Sequence, residues 1–262
     1  MEEIIIEVQA LPEKTTKRLR TFNLVMGAAH LLQSIAVLLL ANDFSLPVVG
    51  SFLSGPPGSG DFEVVSLFDV RVAYGVAAFL WLSAAAHFLV ASPGINEWYN
   101  RNLAQRRNYA RWIEYSISSS LMVVLIAMLT GIAEVSALVV IFGVNASMIL
   151  FGWLMEKYEQ PGSTDWLSYW FGVIAGLFPW LAIAIYLWTP GSDAAPPGFV
   201  YAIFGSLFVF FNSFAVNMVL QYRQTGKWRD YIYGERAYIW LSLLAKSALA
   251  WQVFGGTLAP GV

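Results

Sequence analysis

Long apolar runs alternate with short polar breaks along this chain of 262 residues. A helix needs about 20 largely apolar residues to cross a bilayer. Seven runs reach that length: 22–41, 70–91, 109–131, 135–155, 166–188, 199–221 and 237–256. The pattern predicts an all-α membrane protein, a seven-transmembrane-helix bundle forming one domain over 1–262. The polar residues before the first run lack the apolar core of a secretory signal, so the chain is read as unprocessed.

The breaks differ in character. The stretch 42–69 is long, acidic and rich in Gly and Pro. Its flanks "LPVVGSFL" and "FEVVSLF" are rich in β-prone residues around the turn-forming "SGPPGSGD". That arrangement predicts a small β-hairpin in the first outer loop, the alternative being an unstructured loop. The stretches 92–108 and 221–236 are basic, and 189–198 is a short turn-rich connection without basic residues.

Composition fixes the solvent. The chain is 58% hydrophobic and only 12% charged, with mean hydropathy +0.60. A soluble domain carries about 25% charged residues, and half of that cannot cover a water-facing surface. The lipid bilayer is therefore the first partner. Aromatic content of 16%, with 11 Trp, suits interfacial belts and a packed helical interior. The absence of cysteine excludes disulfides, thiolate chemistry and Cys-ligated metals. A net charge of −2 without a basic tract excludes nucleic acid as a partner.

Charge also orients the bundle. Of 15 Lys and Arg, four lie in the N-terminal tail, four in 101–111, one at Lys157 and four in 223–236. Those segments fall on one side of a seven-span bundle. Positively charged loops face the cytoplasm, so the N-terminus is expected in the cytoplasm and the C-terminus outside, with the protein in the cell membrane.

Four ionisable residues stand inside the runs: His30, His87, Glu114 and Lys246. A mid-helix lysine is disfavoured by roughly 3 kcal/mol on insertion scales, so such groups are functional candidates. Counted at ~1.5 Å per residue, Lys246 lies near the midplane and the other three in the cytoplasmic half. One shared cavity, opening from the lysine towards the cytoplasm, would account for them. Helical spacing supports it. Arg111, Glu114, Ser118 and Met122 share a face of the third span, flanked by Tyr115 and Ser119. Ser83 lies one turn from His87, His30 is grouped with Gln33 and Ser34, and Ser242 lies one turn before Lys246. Serines in membrane helices often serve packing alone, and Glu114 with Lys246 could be a purely structural ion pair.

Two chemistries exploit such a lysine. Desolvation favours the neutral amine, a nucleophile towards aldehydes that yields a Schiff base. Alternatively, a fixed cation lines an ion or substrate path. The Phe-, Trp-, Met- and Gly-rich fourth to sixth spans suit a long apolar ligand, although such stripes are common in plain cores.

Seven spans with a lysine in the seventh and a carboxylate in the third resemble the retinal-binding rhodopsins. The segments "RWIEYSISSS" (111–120), "FFNSFAVNMVLQYR" (210–223) and "YGERAYIWLSLLAKSALAWQVFGGTL" (233–258) resemble specifically the heliorhodopsins, as do the inverted topology and long first outer loop. The resemblance implies all-trans retinal held by Lys246 as a protonated Schiff base, with Glu114 as counterion. It implies a polar cavity beside the Schiff base with His30 and His87, to which helical spacing adds Gln33 and Arg111. It places Ser83, Ser119, Met122, Asn145, Met148, Phe211 and Ser242 around the chromophore or its hydrogen-bond network, and helical spacing adds Tyr115 and Ser118. It further implies a homodimer with loop 42–69 at the contact, and an unidentified cytoplasmic signalling partner.

Three functions compete on the residues. The first is a light-sensing signalling protein, not an enzyme. The second is a light-driven proton or ion transporter. Against transport, Leu125 and Ser242 stand where pumping relatives often carry carboxylates. The third is a zinc-dependent membrane hydrolase using His30, His87 and Glu114, since a His₂Glu set is a known catalytic arrangement. That reading leaves Lys246 without a role and lacks HExxH-type spacing, so no metal is expected.

Overall fold

The computed structural model describes residues 10–162, 164–188 and 195–261. Its elements in order are α1 (Glu13–Leu40), β1 (Ser45–Leu53), β2 (Phe62–Arg71), α2 (Val72–Ala91), α3 (Ile95–Ala104), α4 (Tyr109–Leu129), α5 (Val135–Tyr158), α6 (Leu167–Trp188), α7 (Gly198–Tyr222) and α8 (Tyr231–Val253). A 3₁₀ turn (Gly226–Arg229) precedes α8, and a π-helical turn (Phe254–Leu258) extends it. Among the described residues, seven helices are long and apolar enough to cross a membrane, and the protein is a multi-pass membrane protein.

Each expected span coincides with one of these helices, and the departures occur at polar ends. α1 begins nine residues earlier than the apolar run because "EKTTKRLRT" continues the helix, with an exposed Glu13–Lys17 pair one turn apart. α8 begins at Tyr231 because Asp230 accepts a hydrogen bond from the Ile232 amide at 3.0 Å and caps it. The basic segment after α2 contains a further helix, too short and too polar to be announced by an apolar run. Helix α3 is amphipathic, and it buries Tyr99 and Leu103 against Leu19 and Val90. Most of the turn-rich connection 189–198 lies outside the described residues.

The expected hairpin is present. β1 and β2 pair antiparallel from Ser45↔Arg71 to Leu53↔Phe62, with a bulge between Val48 and Val49. It is anchored at its base. The Val49 amide donates to the Ala133 carbonyl at 2.9 Å, and the Asn42 amide donates to the Leu258 carbonyl at 2.9 Å. Its outer surface is apolar, with Phe52, Phe62, Val64 and Phe68 exposed.

The helices pack α1 on α2, α2 on α4, α4 on α5, α5 on α6 and α7 on α8, and α8 returns to α1. A large core at the hairpin end centres on Phe79, Leu80, Met122, Ile126 and Leu249. A smaller aromatic core at the opposite, basic end holds Trp112, Tyr115, Tyr222 and Tyr238. Between α6 and α7 the contact is made by rings: Trp180 meets Phe204, Phe208 and Phe211 edge-on at 5.4–5.5 Å. Pro179 lies inside α6, where it removes one intrahelical backbone donor. The interval among α4, α5, α6, α7 and α8 is the space that the site occupies.

Candidate functional site

Lys246 projects from α8 into the bundle and is 3% exposed. Its Nζ donates to Glu114 Oε1 on α4 at 3.1 Å and to Ser242 Oγ, one turn earlier on α8, at 2.9 Å. Ser83 on α2 donates to the same Glu114 oxygen at 2.6 Å. Three helices thus converge on one buried ion pair. The i, i+4 spacing places Ser242 and Lys246 on one side of α8, and Tyr115 follows Glu114 on α4, with its ring centroid 5.1 Å from Nζ. Tyr115 is held in turn, its hydroxyl donating to the Tyr238 carbonyl at 3.0 Å.

From Lys246 a cavity of about 330 Å³ runs between α4, α5, α6, α7 and α8, within the ~300–1,000 Å³ of small-molecule sites. Its lining brings together Tyr115, Ser119, Met122, Met148, Phe211 and Ser242 with Trp112, Trp180 and Tyr238. Glycine admits the walls: a Cβ on Gly152 would sit 2.6 Å from the Trp112 ring. Asn145 lies behind the wall, donating to Ser119 Oγ at 2.9 Å and Ser120 Oγ at 3.0 Å. Ser118 is fully buried, its hydroxyl without a hydrogen-bond partner among the described residues.

On the other side of Glu114 lies a polar cavity of about 50 Å³ that Asn23, Ser83, His87, Arg111 and Glu235 help to line. His87 Nδ1 is 2.7 Å from Asn23 Oδ1. The Asn23 amide nitrogen donates to the Leu19 carbonyl, so its oxygen accepts and His87 Nδ1 carries the proton. The His87 ring stacks on His30 at 5.6 Å, and His30 is fully buried, with neither ring nitrogen bonded among the described residues.

One expectation is corrected. Gln33 does not face this cavity: its Oε1 accepts from Trp251 Nε1 at 3.0 Å, on the flank towards α8. His30 and Ser34 point to α2, where Ser34 bonds the Ala77 carbonyl, and Gln33 is rotated roughly 60° away from His30 at 3.6 residues per turn. Arg111 borders the cavity as expected, and its guanidinium is held there by two carboxylates. It pairs with Glu156 at 2.6 Å and with Glu235, all three side chains being buried. Asn108, Trp112 and Tyr231 donate further bonds to the two carboxylates. The sequence reading missed this cluster because Glu156 and Glu235 fall near helix ends, where carboxylates are ordinarily solvated. The available signal was three charges at matching depth near the basic ends of α4, α5 and α8.

Among the described residues, no group of three or more His, Asp and Glu side chains is arranged to hold a metal ion. His30, His87 and Glu114 therefore do not form the triangle that a hydrolytic zinc site needs. An aldehyde-bearing apolar ligand fits better: the cavity supplies one buried amine at its wall, one carboxylate beside that amine, and aromatic walls beyond.

A sequence model of the heliorhodopsin family matches residues 19–258. Two solved structures share the fold. A light-driven proton pump from Leptosphaeria maculans aligns with TM-score 0.63 at 16% identity, covering 95% of this chain and 97% of the pump. A cyanorhodopsin from the cyanobacterium Calothrix sp. NIES-2098 aligns with TM-score 0.57 at 14% identity, covering 93% and 95%. At such identities the likeness is one of fold alone. No sequence among curated proteins matches the chain.

Proposed function

Because the chain belongs to the heliorhodopsin family, whose members are retinal-binding membrane photoreceptors, we propose that it is a light-sensing, signalling pigment. In this reading Lys246 holds all-trans retinal as a protonated Schiff base, with Glu114 as its counterion. The observation that carries the reading is the buried Lys246–Glu114 pair at 3.1 Å on the wall of an aromatic cavity.

When bound, retinal supplies visible absorption and light-driven isomerisation. The chain's residues do the rest. Glu114 balances the positive charge on the Lys246 nitrogen, and Ser83 fixes one of its oxygens. Ser242 holds the lysine's approach, and Tyr115 and Trp180 restrict the space beside it. His87, oriented by Asn23, and His30, stacked on it, offer a proton a resting place on the basic side of Glu114. On the hairpin side the interior is Met122, Leu125, Ile126 and Leu249, all buried and apolar. A proton path with interior titratable groups on one side of Glu114 only supports local exchange and return. It does not support transport, which requires a titratable relay on both sides.

The basic end, with 13 of the 15 Lys and Arg, faces the cytoplasm in this reading, so that the N-terminus is inside. It is there that a signalling partner would meet the protein. The exposed apolar hairpin serves as the contact of a homodimer. Illumination of cells containing the pigment is expected to give no protonophore-sensitive pH change and no steady photocurrent. A steady light-driven current that Glu114→Gln abolishes would replace the sensor with a transporter.

A further inference from the structure

A groove unrelated to the ion pair runs along the outside of the bundle between α7 and α8, with a volume of about 780 Å³. On α7 its floor is the stripe Phe208, Val209, Val216 and Leu220, about 18 Å long at ~1.5 Å per residue. On α8 it is Ala237, Trp240 and Leu241. The polar side chains midway, Asn212 and Ser213, are turned onto their own helix, donating to the Phe208 and Val209 carbonyls at 2.8 Å. The deep part of the groove is therefore apolar, and both of its helices are membrane-crossing by length and hydropathy.

The other end is different. Trp228, Tyr233 and Arg236 rim the groove where α7 ends and α8 begins. Arg236 is exposed and has no carboxylate or hydrogen-bond partner among the described residues. Its guanidinium lies 5.9 Å from the centre of the Phe22 ring, which steadies it without using its N–H groups. The Trp228 indole is fixed by a 2.7 Å bond to Asn217 Oδ1.

We infer that this groove is a binding site for an anionic phospholipid, with an acyl chain along the α7 stripe and the phosphate at Arg236. The charge complements an anion, and the depth of the apolar floor selects a lipid over a free phosphate. Basic pockets between membrane helices bind anionic headgroups in this way, and aromatic residues at the rim belong at headgroup level. Phe208 and Asn212 also line the Lys246 cavity, so the lipid would share a two-residue wall with the pigment's interior.

The test uses the full-length pigment in nanodiscs of equimolar phosphatidylglycerol and phosphatidylcholine, re-extracted in mild detergent, with retained lipids counted by native mass spectrometry. Wild type is expected to favour phosphatidylglycerol roughly fivefold, the effect of one basic side chain at a membrane surface. Arg236→Gln should bring the ratio near unity, Arg236→Lys should keep it, and Arg229→Gln, outside the groove, should leave it unchanged. Val209→Trp, filling the floor from an exposed position, should lower retention of both lipids. Intact visible absorption reports that each variant is folded. Equal retention of the two lipids by wild type would overturn the assignment, as would a preference that survives Arg236→Gln. So would phosphatidylglycerol retention unaffected by Val209→Trp, or its displacement by excess inorganic phosphate.

Discussion

Replacing Arg111 with methionine should sharply destabilise the protein without touching the Lys246 cavity's charge pair. Methionine approximates the length of the arginine stem and its packing, so the loss is electrostatic. Glu156 would keep three donors: the Asn108 amide at 2.8 Å, Trp112 Nε1 at 2.6 Å and the Tyr231 hydroxyl at 2.8 Å. Glu235 would keep only Asn108 Nδ2, at 2.7 Å, while wholly buried. Removing one partner of a buried ion pair costs about 3–5 kcal/mol. Because Glu156 remains well supported, the lower figure applies, with the cost concentrated on Glu235. About 3 kcal/mol corresponds to roughly a hundredfold, at 1.4 kcal/mol per decade. The assay is the half-life of visible absorption at a fixed elevated temperature in nanodiscs, which should fall by about that factor if the cluster breaks only on unfolding. Neutralising the stranded group in Arg111→Met/Glu235→Gln should recover about tenfold or more of it. A half-life for Arg111→Met within about threefold of wild type would show that the cluster does not hold α4, α5 and α8 together, and the reasoning would fail.

Glu114→Gln should shift absorption to longer wavelength, because a nearby negative charge stabilises the ground state of a cationic chromophore end more than its excited state; an unchanged spectrum would mean that another group is the counterion. Cross-linking in lipid should yield dimers for the full chain and fewer once the hairpin tip, residues 50–62, is removed; monomers alone in both cases would reject the hairpin contact.

The fold was largely legible because a membrane imposes one strong requirement, uninterrupted apolar length, and all seven helices announce themselves by it. The hairpin was legible for a local reason: β-prone flanks around Gly and Pro. Helix α3 was not, since its ten residues carry mixed polarity and it acquires its apolar partners, Leu19 and Val90, only in the folded bundle. Depth counting suggested a shared cavity, with Lys246 near the midplane and Glu114, His30 and His87 on its cytoplasmic side; the assignment of Glu114 as counterion to Lys246 came from the family resemblance. Gln33 shows the limit of that method. Depth was right, but rotation about α1 decided the neighbour, and an amide satisfied equally by Trp251 or by a cavity gives no sequence signal. Glu156 and Glu235 were missed for the opposite reason, since only the tertiary packing of α5 and α8 against Arg111 takes them out of water.

The claim that Lys246 holds retinal covalently is tested most directly by trapping the linkage. Apoprotein incubated with retinal should lose one water as the Lys246 amine condenses with the aldehyde, and borohydride then adds hydrogen across the C=N bond to fix it as an amine. Peptide mass mapping should find one retinyl group, on Lys246, and Lys246→Ala should form neither the adduct nor a visible pigment that survives acid denaturation. A retinyl group on any other lysine, or an acid-stable pigment in Lys246→Ala, would contradict the account.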